Sequence, residues 1–197
     1  MKKPTKRKTT LRDAQLAALV EIYCNKYEKA FENKISAFRD LNSFAVAVKV
    51  AANGKEVSRK TNKHLHWLFS VSRKPSLKKA VKILTKQTAE LELCVNFQQL
   101  HQTITNLVGH LRHVKKVYCY DVALRIGSAK NIFPEKVYVH AAKVKAAAIK
   151  LRVTIKNDDT VDHVSFPPVL HLLKAYQIED FLCVFESLRK QIHKRVN

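Results

Sequence analysis

Residues 117–148, VYCYDVALRIGSAKNIFPEKVYVHAAKVKAAA, set Tyr118, Tyr120, Asp121, Arg125, Tyr138 and His140 among apolar neighbours. Together, Asp, Arg and His can run acid-base chemistry: a carboxylate takes a proton, an imidazole relays it and a guanidinium holds the charge that develops. The same residue types also serve as internal polar wiring. Tyr118, Asp121, Val122 and Arg125 recur at three and four residue spacing, which puts them on one helix face, and Asp121 with Arg125 is an (i, i+4) pair suited to a half-buried ion pair. His140, following Val-Tyr-Val, reads as a core histidine with one ring nitrogen bonded to a backbone carbonyl or to Asp121. The tyrosines read as core rings whose hydroxyls cap polar groups. The wiring reading is preferred, and a nuclease-like or glycosylase-like site built from Asp121, Arg125 and His140 is its alternative.

Other reactive residue types are placed less tellingly. His64 and His66 flank Leu65 just before Trp67, and no nearby Cys or carboxylate completes a metal set with them. Asp158, Asp159 and Asp162 share one loop that lacks the calcium-loop pattern and reads as a solvated turn. Glu179 and Asp180 read as first-turn residues of a last helix, where negative charge complements the dipole. Cys24, Cys94, Cys119 and Cys183 lie far apart among hydrophobics, so buried reduced thiols are expected, with no metal and no cofactor. A Walker loop and the GxGxxG, GxSxG and HExxH motifs are all missing, so non-enzymatic binding is favoured over catalysis.

Charge points to the partner. The 197 residues carry 37 Lys and Arg against 16 Asp and Glu, a net +21. By segment the charge is +6 over 1–12, −1 over 13–48, +10 over 49–86, −2 over 87–111, +9 over 112–156, −5 over 157–186 and +4 over 187–197. Basic blocks that also carry periodic hydrophobics are cationic faces on an apolar scaffold, and a polyanion would relieve their self-repulsion. DNA or RNA is therefore the expected partner, with a protein complex as a further one. The phosphate contacts are assigned to Lys6, Arg7 and Lys8 in the tail, to Arg59, Lys60, Lys63, Arg73, Lys74, Lys78 and Lys79 in the second block, and to Arg112, Lys115, Lys116, Lys143 and Lys145 in the third. No apolar run approaches the roughly 20 residues of a transmembrane helix, so no membrane is expected. Asp13 and Glu21 interrupt the apolar stretch a secretion signal would need, and the expectation is a cytoplasmic protein.

The elements that must position these residues read as helices, since only three glycines and five prolines punctuate the chain. Leu16, Leu19, Val20, Tyr23, Tyr27, Ala30 and Phe31 lay one stripe along a first helix. A second runs from about Ser36 to the Asn53-Gly54 turn, and a third starts at Pro75 and carries its core stripe to Leu91, with Lys78, Lys79, Lys82 and Lys86 on another face. Residues 96–111, 117–129 and 139–151 follow as helices. Residues 152–165 read as a loop or hairpin with a short strand at LRVTI, and two helices then close the chain, the first broken near Tyr176. The fold class is all-α, with at most a minor β hairpin: a basic tail over 1–10, disordered when unbound, then a helical domain over 11–197 whose division into subdomains 11–92 and 93–197 stays open.

The segments NFQQL, YCYDVALRIGSAKNIFPEKVYVHA and IEDFLCVF, in this order and spacing, resemble a group of small bacterial proteins without an assigned activity. The resemblance covers most of the chain after about residue 50. It implies an architecture in which the residues before the tyrosine-rich segment form a degenerate helix-hairpin-helix element, a module that holds nucleic-acid phosphates on backbone amides. His113 and Lys115 stand where that hairpin carries glycine, and His140, Ala141 and Ala142 stand where the group has His-Ala-Gly. The expectation is thus phosphate binding by charge at Arg112, Lys115 and Lys116, by an accessory or defence-related factor or an RNA-associated subunit of a larger assembly.

Overall fold

Helices account for most of the backbone because the apolar stripes have helical period and find partners. The computed structural model describes residues 13–54, 75–156 and 159–196. α1 (Asp13–Tyr23) runs through a π-helical turn, Cys24–Glu28, into α2 (Lys29–Ser36). The extra residue of a π turn rotates everything after it around the helix axis. Leu16, Leu19, Val20 and Tyr23 accordingly face one core while Phe31 and Ile35 face another.

The chain does not continue as a helix from Ser36. Residues 37–42 form turns, and α3 (Phe44–Ala52) starts afresh behind Ser43, whose extended backbone lets its hydroxyl accept from Val46 N at 3.3 Å. A run with Asp40, Asn42 and Ser43 offers the backbone such local partners in place of helix. Gly54 takes the expected left-handed turn with φ 65°. The helix expected from Pro75 to Leu91 is two: α4 (Pro75–Lys86) and α5 (Thr88–Glu92), divided at Gln87 with φ −96° and ψ 23°. Asn96 caps α6 (Phe97–Val108), its side chain accepting from Gln99 N at 2.9 Å, and α7 (Lys116–Ala129) follows. Gly127 is needed here, since a Cβ on it would sit 2.5 Å from the Ile132 carbonyl oxygen.

After α7 the sequence expectations need correction. β1 (Lys136–Tyr138) lies just before the anticipated 139–151 helix, residues 139–141 are not helical, and α8 is only Ala142–Lys150. LRVTI forms no strand; β1 pairs antiparallel with β2 (Thr160–Asp162), Val137 opposite Val161. The predicted first closing helix is a pair of 3-10 turns, His163–Ser165 and Pro168–Leu172, and α9 (Ala175–Val196) runs through Tyr176 without a break. Glu179 and Asp180 are not exposed dipole partners in a first turn: they lie a turn further in, 2% and 3% exposed.

Two apolar clusters result. One gathers α2, α3, α4, α6 and α7, and draws on both 11–92 and 93–197. The other joins α1 to the β ribbon, α8 and α9. Tyr23 ties the ends of the second cluster, donating its hydroxyl to Asp180 at 3.0 Å from a fully buried position. Gln177 does similar work between the clusters, donating to Glu28 and Glu32 at 2.9 Å each while its carbonyl accepts from Lys174 N at 2.7 Å. The chain is thus mostly helical, and among the described residues there is one two-stranded ribbon and no helix long and apolar enough to cross a membrane.

Candidate nucleic-acid interface

Residues 109–115 link α6 to α7 in a short hairpin. Leu111 N donates to Val108 O and Val114 N to Leu111 O, each at 3.0 Å, so two tight turns reverse the chain between the helices. Val114, 8% exposed, anchors the hairpin in the first core. His113 adopts φ 70°, the left-handed backbone that glycine takes at no steric cost. Its imidazole is exposed there. Lys115 is the N-cap of the 14-residue α7 and makes no side-chain cap bond to its first-turn amides.

Around that end the cations collect. Arg112, His113, Lys115 and Lys116 are all exposed. Lys116 donates to Asp159 at 2.7 Å and Lys145 of α8 donates to the other oxygen of the same carboxylate, also at 2.7 Å. Asp159 is thus no solvated turn residue. Its carboxylate is 16% exposed, and the Lys116 and Lys145 hydrogen bonds hold its pKa below the usual carboxylate range. Lys143, in the first turn of α8, is exposed. Lys78 and Lys79 project from α4 with Lys82 and Lys86, opposite the buried Leu77, Ala80 and Leu84. Lys6, Arg7, Lys8, Arg59, Lys60, Lys63, Arg73 and Lys74 lie outside the described residues, as do His64, His66, Trp67 and Asp158.

Beneath the hairpin, the polar residues of 117–148 serve the interior. The Tyr118 hydroxyl donates to Ala52 O at 2.9 Å, closing the end of α3, and burial pushes its pKa up. Asp121 is 7% exposed, while Arg125 is half-buried with its guanidinium 5.7 Å over the Phe38 ring. His140 is half-buried with its ring 4.9 Å from that of Tyr120 and 6.2 Å from that of Tyr138. His101, which the sequence reading did not single out, completes this nest at 4.9 Å from Tyr138 and 6.3 Å from Phe97. Burial first, then the charges of His140 and Lys116, lower its pKa to about 4. Its signal in the sequence is only an apolar-face position one turn after Phe97.

A cleft of about 480 Å³ opens beside the nest, between the start of α6 (Val95–Gln98), the 132–136 loop, and Tyr138 and Thr160 of the ribbon. Asp121, Arg125 and His140 do not line it. All four cysteines are free thiols, and burial raises Cys119 to about 11. Among the described residues no group of three or more His, Cys, Asp or Glu is placed to hold a metal ion. No protein-family model, curated protein or solved structure matches the chain.

Proposed function

We propose that this protein binds nucleic acid through phosphate contacts centred on the hairpin 109–116. The carrying observation is the left-handed turn at His113, which sits before the α7 N-terminus, where the N-cap residue Lys115 makes no side-chain cap bond and Arg112, Lys115 and Lys116 are exposed. Amides at a helix start present partial positive charge to an anion, and flanking cations add charge-assisted bonds to the same oxygens. Lys143 and Lys145 extend the cationic surface from α8, Lys145 being joined to Lys116 across Asp159. The cationic side of α4 supplies Lys78 and Lys79 as further contacts. Such binding reads charge and backbone rather than base edges, so it is weakly sequence dependent and strongly salt dependent.

The test is a salt titration of binding by fluorescence anisotropy, with the intact chain and with Arg112→Glu, Lys115→Glu. Neither side chain makes an ion pair with the described residues, so their reversal spares the Lys116–Asp159–Lys145 bridge. The log–log salt slope is expected to flatten by roughly 1.5 to 2 as two phosphate contacts are lost. An unchanged slope would remove the hairpin from the interface, and no binding to DNA or RNA at low salt would overturn the reading.

A further inference from the structure

Resting on that reading, we propose that the cleft beside the hairpin takes an unpaired nucleobase, so that single-stranded nucleic acid is the preferred ligand. The cleft falls within the roughly 300–1,000 Å³ common for small-ligand sites. Tyr138, half-buried, offers its ring to it, and Phe97, 3% exposed, supports that ring to make a corner, the centroids 5.6 Å apart and the planes at 72°. A base stacked on the Tyr138 ring would take one of the favourable aromatic geometries. Gln98, Glu135 and Thr160 add amide, carboxylate and hydroxyl groups that can bond base edges.

This corner is held from behind. Tyr138 packs against Tyr120 at 5.0 Å and His101 at 4.9 Å, and Phe97 packs against Tyr120 at 5.9 Å. A platform already immobilised by its neighbours loses little side-chain entropy when a ligand arrives. The third ring of the cleft, Phe133, is stacked on Tyr176 at 4.9 Å with the Arg39 guanidinium 5.4 Å from its centroid. Phe133 therefore walls the cleft rather than offering a stacking face.

Its place beside the cations separates this cleft from a generic apolar hole. Thr160 lines it, and the preceding residue, Asp159, is the carboxylate that both Lys116 and Lys145 grip at 2.7 Å. A strand whose phosphates lie along Lys116, Lys145 and the hairpin thus has a base within reach of Tyr138. A duplex keeps its bases stacked and paired, and would have to give up one pair to fill the cleft.

Anisotropy titrations at one fixed low salt decide it, using a labelled oligothymidylate, an abasic strand of equal length and a duplex of equal length, each with the wild type and with Tyr138→Leu. The wild type is expected to hold oligothymidylate roughly tenfold more tightly than the abasic strand, the scale of one stacked base. Tyr138→Leu is expected to erase that difference and leave abasic-strand affinity unchanged, which also shows that the variant is folded. Equal affinity of the wild type for oligothymidylate and abasic strand would overturn the cleft proposal while leaving phosphate binding standing. A duplex bound more tightly than oligothymidylate would do the same. Absence of binding to all three would overturn the phosphate reading, and the cleft proposal with it.

Discussion

Tyr23 shows how much a single buried hydroxyl does in this molecule. It is fully buried, its oxygen donates to Asp180 at 3.0 Å, and its ring meets Phe181 edge-on at 5.6 Å. Tyr23→Phe keeps the ring contact and removes one donor from a carboxylate that is 3% exposed; unfolding in denaturant is expected to show a loss of about 1.5–3 kcal/mol. His101 acts through its proton. With its folded pKa near 4 against 6.5 unfolded, the native state binds the proton less readily, so the unfolded chain gains protons first as pH falls. Stability is expected to be unaffected by this group above about 6.5 and to be lost between about 6.5 and 4, on the order of 3 kcal/mol, with His101→Phe flattening that part of the profile. The sequence placed Tyr23 in a core stripe, but its partner lies 157 residues away in a segment read as a dipole-complementing first turn. Long-range pairs of this kind leave no local spacing to read. Tyr118 was more legible, because a tyrosine among Val, Cys and Leu at helical period has to bury its ring and find its hydroxyl an acceptor.

Among the elements, the hairpin between α6 and α7 holds the most testable strain. A non-glycine residue in the left-handed region costs on the order of 1 kcal/mol, and His113 sits there at φ 70°. His113→Gly is expected to raise stability by about 0.5–1 kcal/mol in denaturant unfolding, while a loss would mean that the imidazole makes a contact worth more than the strain. The helices α1, α4, α6 and α7 were legible because strong stripes coincide with recognisable starts, such as Pro75 and Asn96. The breaks were not. Gln87 ends α4 with nothing in its side chain to demand it, and the π turn at Cys24–Glu28 is invisible to a period of 3.6 because Tyr23 and Tyr27 fit either winding. The ribbon was missed for a related reason: β1 is three residues long and depends on β2, with 21 residues between the two strands, so neither strand carries a pattern of its own. For the candidate site, the charges of Arg112, Lys115 and Lys116 are plain in the sequence, whereas the cleft arises only when the start of α6, the 132–136 loop and the ribbon are folded together.

For the whole molecule, charge sets opposing salt responses that can be separated. A net +21 on a folded chain repels itself, and folding brings Lys116 and Lys145, 29 positions apart in sequence, onto one carboxylate. Salt screens this repulsion, so the thermal midpoint of the protein alone is expected to climb with ionic strength. Bound nucleic acid neutralises the same charges, and a ligand at about 100 times its Kd adds roughly 2.7 kcal/mol to the native state. For a chain of this length that is roughly 5–10 °C in midpoint. The added stability is greatest at low salt and fades as counterions compete for the phosphates. Melting curves across a salt series, with and without a saturating oligonucleotide, are therefore expected to start well apart and converge, the free protein rising and the complex falling toward it. Parallel curves would mean that the oligonucleotide binds without displacing counterions, which a phosphate interface does not allow. A flat curve for the free protein would mean that the cationic faces are too far apart, or too well paired, for repulsion to matter, and would leave +21 without an energetic role in the fold.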